Sequence, residues 1–123
     1  MQDGNLLQTS GNIKQYASKE PIVPLQIIDN GTNVFVNDPV NGVLVFDLFG
    51  TFIKSLPITN CSKIKALDNL LYYLSNNQLF YYQMGVFHSN SYIIPGSANA
   101  VQFDISRNRL FILTNTSIRI YAF

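Results

Sequence analysis

The stretch that decides the fold of this chain is VLVFDLFGTFIKS, residues 43–55. Its first four residues are all apolar. The three residues Asp47-Leu48-Phe49 separate them from Gly50, and after the glycine a strand-like run begins at Thr51 with Phe52 and Ile53. Val, Ile and Phe are typical of β-strands, whereas Gly is typical of tight turns. The stretch therefore predicts a β-hairpin whose turn contains Gly50.

The second half of this hairpin recurs along the chain. GTFIKS, residues 50–55, resembles GNLLQT, residues 4–9, and Gly85-Val86-Phe87 is a weaker third copy. Recurrence of a short strand unit at intervals of tens of residues is typical of repetitive β architectures. The repeat indicates how the scaffold is built, but it does not indicate which reaction, if any, the protein catalyses.

The rest of the chain predicts further strands in quick succession. Asn41-Gly42 and Asn76-Asn77 are two-residue hairpin signals, and the gaps between apolar runs are too short for crossover helices, so the sheets should be antiparallel. The third set of strands stops one strand short of the other two. The predicted strands are 25–29, 33–37, 43–48 and 51–58; 63–67, 70–74, 78–83 and 91–94; and 100–104, 109–113 and 117–123.

Periodicity separates two all-β architectures. A strand with one wet face alternates apolar and polar residues, but residues 43–46 and 79–82 are apolar or aromatic at successive positions. Because successive side chains point to opposite faces, both faces of these strands should be covered. A four-stranded β-propeller blade packed between two neighbours meets that requirement. A β-sandwich is the alternative, because Ile118-Arg119-Ile120 does alternate.

These residues carry a resemblance to a known repeat. Residues 45–53 (VFDLFGTFI) resemble the hairpin of third and fourth strands in the NHL-like, six-bladed β-propeller repeats of the Bacteroidetes type, and residues 33–38 (NVFVND) are similar to the second strand of those repeats. The resemblance covers most of residues 20–123. It departs from the pattern in the second unit, where residues 82–85 lack the Asp and residues 86–90 look like an insertion. It implies a fold and not an activity, because the family contains binding scaffolds as well as enzymes.

Length and repeat number set the expected organisation. We expect a single domain, 1–123, in which residues 1–20 form a terminal strand and a connection, and blade-like units follow at 21–58, 59–95 and 96–123. About three blades are too few for a normal ring of about four to eight. Either two chains share a six-bladed ring, or this chain is a fragment of a longer propeller.

Composition excludes several classes of partner. Only 12% of the residues are charged and the net charge is +1, which leaves no electrostatic footprint for nucleic acid or an anionic membrane surface. No apolar run approaches the roughly 20 residues of a membrane-spanning helix. The polar start lacks the pattern of a signal peptide, so the compartment is undetermined. A mature or truncated form of an exported bacterial protein, periplasmic or at the cell surface, would look the same.

Catalytic chemistry has little support in the sequence. His88 is the only histidine and lies in a Ser/Asn-rich stretch, where we expect a solvated side chain. Cys61 is the only cysteine, and without a CxxC partner we expect a buried, unreactive thiol. No cluster has the spacing of metal ligands or of an acid-base pair. We therefore expect no enzymatic activity, no cofactor and no metal.

Two sets of residues are candidate ligand contacts. Asp29, Asp68 and Asp104 are each expected to close the first strand of a unit, so in a ring they could share one rim and bind a cation or a polar ligand. The competing interpretation is that each carboxylate caps the turn after it. Six tyrosines could stack on sugars, but their position inside strands favours packing between blades: Tyr72, Tyr73, Tyr81, Tyr82, Tyr92 and Tyr121.

The function that fits best is a non-catalytic scaffold that mediates protein-protein interaction. A small-ligand or glycan-binding propeller module is the alternative, and a propeller-type hydrolase or lactonase comes third. We expect a homodimer, because outer blades should expose apolar faces, with members such as Val43, Val45, Phe80 and Tyr82. The ring would close by strand exchange, in which Asn5, Leu6 and Leu7 of one chain fill the open edge at Ile118 and Ile120 of the other.

Overall fold

The computed structural model describes residues 4–17, 19–61, 63–85 and 88–122. It contains eleven strands in the described residues, and they form three separate antiparallel sheets. The all-β fold class is confirmed, with antiparallel sheets of four, four and three strands among the described residues. The strands are β1 (Gln26–Asp29), β2 (Asn33–Asp38), β3 (Gly42–Asp47), β4 (Phe52–Leu56), β5 (Ile64–Leu67), β6 (Leu70–Ser75), β7 (Gln78–Gln83), β8 (His88–Ile93), β9 (Gln102–Ser106), β10 (Arg109–Leu113) and β11 (Ile118–Ala122).

The sheets follow chain order without crossovers. The first has the order β1-β2-β3-β4, the second β5-β6-β7-β8, and the third β9-β10-β11. The chain divides into two compact units, Met1–Ser62 and Lys63–Phe123. The first sheet belongs to the first unit and the other two sheets to the second. The division into one domain, 1–123, with blade-like units 21–58, 59–95 and 96–123, stays a prediction.

The turns follow from the residues that occupy them. Asn76 and Asn77 both have positive φ, 51° and 59°, and link β6 to β7 as a two-residue hairpin turn. The predicted two-residue turn at Asn41-Gly42 is wrong. Asp38 pairs with Gly42, so three residues form that loop, and Gly42 takes a φ of 104° that favours glycine.

The first unit has a core on one side of its sheet. Val36, Leu44 and Phe46 are buried there. Ile13, in the 3₁₀ turn Ile13–Gln15, and Tyr16, directly after that turn, pack against them. The ring of Tyr16 stacks on that of Phe52 with centroids 4.5 Å apart and meets Phe46 edge-on at 5.5 Å. The residues before the first sheet therefore cover one of its faces.

The second unit has its core between its two sheets. The members are Tyr72, Leu79, Ile94, Phe103, Ile105, Leu110 and Ile112. They come from alternating positions, as expected for strands that each turn one face to a neighbouring sheet. In β9, for example, Phe103 and Ile105 are buried while Gln102, Asp104 and Ser106 are exposed.

Some boundaries differ from the sequence prediction. β8 begins at His88, so most of the expected insertion at 86–90 is strand. β9 lies two residues later than expected, at Gln102–Ser106 instead of 100–104. Residues 5–9 form no strand in this chain, although they resemble β4 in sequence. Val86 and Phe87, from the weak third copy of the repeat, lie outside the described residues.

Candidate interaction surface

The third sheet ends in an open edge. β11 pairs with β10 in the register Leu113 to Ile118 and Phe111 to Ile120, and no strand among the described residues pairs with its other side. A free strand edge presents unpaired N–H and C=O groups that can accept another strand. The first two sheets each carry a fourth strand at this place, β4 and β8. The third sheet is therefore a blade without its outermost strand.

One face of the same sheet is apolar and open to solvent. Leu113, Ile118 and Ile120 are 44%, 70% and 63% exposed, and the half-buried Phe111 on β10 faces Ile120 across the strand pair. The register puts these four side chains on the face opposite the buried Phe103, Ile105, Leu110 and Ile112. We call the four residues Phe111, Leu113, Ile118 and Ile120 the open face. They form a continuous apolar patch, which on a soluble protein usually marks a contact.

A shallow depression of about 260 Å³ runs along the open face, beside the ion pair of Lys65 and Asp104. Lys65 Nζ lies 3.6 Å from Asp104 Oδ1, and both side chains are partly or largely exposed, at 34% and 68%. An exposed pair of this kind contributes little to stability. The polar pair borders the apolar patch, an arrangement common at protein interfaces.

A second apolar feature lies in the first unit. A groove of about 400 Å³ is lined by Ile27, Val34, Val36 and Phe46 on the sheet and by Leu6 and Leu7 on the N-terminal segment. Although they line the groove, Leu6 and Leu7 remain 83% and 89% exposed. The N-terminal segment therefore covers this face of the first sheet loosely.

The apolar face expected at the outer blades lies elsewhere than predicted. Val43 and Val45 are 0% and 2% exposed, Tyr82 is buried and Phe80 is half-buried, so the prediction that they form an exposed face is wrong. Because both faces of these strands are apolar, the sequence could not tell an inner from an outer face. Ile118 and Ile120 were predicted at the open edge, and both are exposed. The alternation of apolar and polar residues in Ile118-Arg119-Ile120 is the sequence pattern that indicated a solvent-facing side of this strand.

The three aspartates occupy dissimilar positions. Asp29 ends β1, and its Oδ2 accepts a hydrogen bond from the Gly31 backbone N–H at 3.0 Å, which is the turn-capping role. Asp68 lies in the β5–β6 turn with φ of 55°. Asp104 lies in the middle of β9 and pairs with Lys65, so the prediction that it closes the first strand of its unit is wrong. The described residues contain no group of three or more His, Cys, Asp or Glu that could hold a metal ion, and a shared aspartate site stays a prediction.

Most of the tyrosines lie in packed positions. Tyr72 and Tyr82 are buried, and Tyr92 is the most exposed of the strand tyrosines at 39%. The Tyr81 ring stacks on Tyr92 at 5.6 Å and meets Tyr72 at 6.1 Å. Burial raises the pKa of the Tyr72 phenol above its usual value. In this row of rings Tyr72 is buried, Tyr81 is half-buried and Tyr92 is exposed, so the rings pack mainly on one another within one sheet of the second unit.

Two further candidate residues are Cys61 and His88. Cys61 is buried, and burial raises the pKa of its thiol to about 11. His88 is the first residue of β8, and its side chain lies outside the described part of the chain. No helix among the described residues has the length and apolar character needed to cross a membrane.

Comparison with known proteins identifies the fold. No known family profile matches the sequence, and no curated protein matches it. Among solved structures, Hsv2 of Kluyveromyces lactis superposes with a TM-score of 0.63 at 13% identity over 83% of this chain and 33% of the Hsv2 chain. The N-terminal domain of Nup159 superposes with a TM-score of 0.57 at 20% identity over 81% of this chain and 27% of that domain.

A third similar structure is that of S. cerevisiae Dbp5 bound to Nup159, Gle1, IP6 and ADP, with a TM-score of 0.56 at 18% identity over 81% of this chain and 27% of the matched chain. Hsv2 and Nup159 are β-propeller proteins, so the chain has a propeller fold. It spans about a third or less of the length of these relatives. At these identities the likeness shows the fold alone.

Proposed function

We propose that this chain is a non-catalytic β-propeller module that acts by binding other protein chains. The observation that carries the proposal is the open face beside the unpaired edge of β11. Apolar side chains next to free backbone donors and acceptors offer both the burial and the hydrogen bonds that strand-mediated protein binding uses. A propeller fold with only three blade-like sheets also needs neighbours to complete a ring.

The buried tyrosines favour this function over glycan binding. A sugar-binding site would need exposed aromatic rings with polar groups beside them. Tyr72 and Tyr82 are buried, and Tyr81 is half-buried and in contact with the rings of Tyr72 and Tyr92. The relative Nup159 is recorded bound to Dbp5, which is an instance of protein binding by a protein of similar fold.

We assign the blades to the NHL-like type of bacterial six-bladed propeller as part of the same proposal. The residues that carry the resemblance, 33–38 and 45–53, fall on β2 and on the β3–β4 hairpin, which are the positions that the resemblance requires. The contact surface would then be completed by a second copy of the chain or by further blades of a longer protein. Both occupants bury the open face.

The mass of the folded protein in solution tests the proposal. We expect light scattering at micromolar concentration to give a mass above the 13.9 kDa of one chain. Ile118→Lys should reduce the mass to that of one chain, because a buried lysine ammonium is costly. Ile53→Lys is the matched control, since Ile53 is 49% exposed on β4 outside the open face, and it should leave the mass unchanged. A wild-type protein that is folded and stays at the mass of one chain would contradict self-association through this face.

A further inference from the structure

The two four-stranded sheets show what the third sheet lacks. In the first sheet, β3 ends in Phe46-Asp47, a turn containing Gly50 follows, and β4 pairs back along β3. In the third sheet, β11 ends at Ala122 without a following strand in the described chain. Ile118 and Ile120 on β11 are among the most exposed apolar residues of the molecule. The site of a fourth strand is therefore present, and none of the residues that the structure describes fills it with a strand.

The N-terminal segment has the sequence of such a strand. Residues 4–9, GNLLQT, repeat the pattern of residues 50–55, GTFIKS, in which Gly50 has a φ of 84° in the turn and the following residues form β4. In this chain residues 5–9 form no strand, and Leu6 and Leu7 are exposed. Exposed leucines on an unpaired, strand-like segment favour a second location in which they are buried.

We propose that residues 5–10 of one copy pair with β11 of a second copy as the fourth strand of its third sheet. The inference rests on the proposed function and names its partner, a second copy of this chain. β11 and β3 are equivalent third strands, and each has an aromatic residue, Tyr121 or Phe46, at its next-to-last position. In the first sheet Phe46 pairs with Phe52 and Val45 with Lys54. The equivalent pairs are Leu6 with Tyr121 and Gln8 with Ile120.

The groove in the first unit makes a second copy the fitting occupant. When residues 5–10 leave, the face that carries Ile27, Val34, Val36 and Phe46 loses part of its cover. The open face of the partner is apolar and needs a cover of the same kind. Exchange in both directions brings the groove face of each copy against the open face of the other, so that the two faces cover each other, and it gives a closed two-fold assembly. Two copies also supply six blade-like sheets, within the usual range of about four to eight.

A disulfide at the proposed register tests the exchange. Both Gln8 and Ile120 are exposed, so cysteines at these positions should leave the fold intact. One chain carries Gln8→Cys and the other Ile120→Cys, each with Cys61→Ala to remove the native thiol. After the two are refolded together and oxidised, we expect a disulfide-linked species at twice the chain mass on a non-reducing gel. The matched control pairs Gln8→Cys with Leu113→Cys, which lies on the open face but on the inner strand β10, and should cross-link at least tenfold less.

The outcomes separate this inference from the proposed function. A dimer that Ile118→Lys disrupts but that forms no Gln8–Ile120 disulfide would leave the open face as the contact and overturn the strand exchange. A chain carrying both cysteines that closes a disulfide within itself, at the mass of one chain, would overturn the second copy as occupant. Deletion of residues 4–10 gives an independent readout, because a dimer that keeps its dissociation constant without them would also overturn the exchange.

Discussion

Asp38 and Val23 are joined by a hydrogen bond that ties the entry of the first strand to the β2–β3 turn. The Val23 backbone N–H donates to Asp38 Oδ2 at 3.0 Å, and the backbone N–H groups of Val40 and Asn41 donate to Oδ1 at 2.9 and 3.0 Å. The Asn41 side chain in turn bonds the backbone of Lys19, accepting at 2.7 Å and donating at 3.0 Å. Asp38 is fully buried. One carboxylate thus joins the loop to the segment that precedes β1.

Replacing this carboxylate should destabilise the protein. In Asp38→Asn an amide NH₂ group replaces one carboxylate oxygen. If the NH₂ group takes the place of Oδ2, it is a donor facing two other donors, the Val23 backbone N–H and the Asn41 side-chain amide. Hydrogen bonds to a charged group are each worth about 1.5–3 kcal/mol, so we expect a loss of about 2 kcal/mol or more at pH 7. Chemical unfolding measures it. Asp29→Asn, at an exposed turn carboxylate, is the control and should cost well under half as much; equal losses would contradict the buried role.

Stability should also depend on pH through Asp38. Burial raises the pKa of its carboxyl. The hydrogen bonds from Asn41, Val23 and Val40 lower the pKa by more than burial raises it, so the net pKa is below the usual 3.8. A lowered folded-state pKa means that the contribution is complete above about pH 4 and is lost as the pH falls through the folded-state pKa. The free energy difference between wild type and Asp38→Asn should therefore shrink from pH 5 to pH 2. A difference that stays constant over this range would contradict the prediction.

Gly42 should tolerate no side chain. Its φ is 104°, and a Cβ there would collide with the backbone carbonyl oxygen of Leu56. Gly31 has a similar φ of 92°, but no neighbouring atom lies within 4 Å of the position that a Cβ would take there. Gly31→Ala should cost about 1–2 kcal/mol from the backbone conformation alone, and Gly42→Ala about 1–3 kcal/mol more from the clash. Thermal unfolding of the two variants side by side checks the difference, and equal melting temperatures would argue against the clash.

Cys61 should react slowly in the folded protein. Its thiol is buried and burial raises its pKa to about 11, so little thiolate exists at pH 8. We expect modification by a soluble disulfide reagent to be at least a hundredfold slower in buffer than in denaturant. Absorbance of the released thiol gives the rate. A native rate close to the denatured one would show that the thiol is accessible.

Asp104 should contribute little to stability or to ion binding. Its contact with Lys65 at 3.6 Å is largely exposed, and such pairs are worth about 0–1 kcal/mol. Asp104→Asn should change the free energy of unfolding by less than about 0.5 kcal/mol, with Lys65→Met as the matched partner variant. Calcium titration of the wild type by calorimetry should show no saturable heat. A heat that Asp104→Asn abolishes would instead support the shared aspartate site.

Local chemistry was enough to predict the strands and several turns. Runs of β-branched and aromatic residues gave eleven strands in the right order, and the pair Asn76-Asn77 gave a two-residue turn because asparagine tolerates positive φ. The loop at residues 39–41 was predicted wrongly, because the buried Asp38 accepts the N–H groups of Val40 and Asn41 and draws an extra residue into the turn. The residue types follow from the sequence, but the burial of one particular carboxylate depends on tertiary contacts.

The sequence by itself determined that this chain is built from short antiparallel strands with apolar residues on both faces, since these properties depend on neighbours along the chain. Only the tertiary structure decided which faces stay open. Val43 and Val45 are β-branched apolar residues on a strand, as are Ile118 and Ile120, yet the two valines are buried and the two isoleucines are exposed. The physical reason is that burial depends on which other sheet or segment covers a face, and that contact joins residues far apart in sequence or, as we propose for β11, residues of another copy.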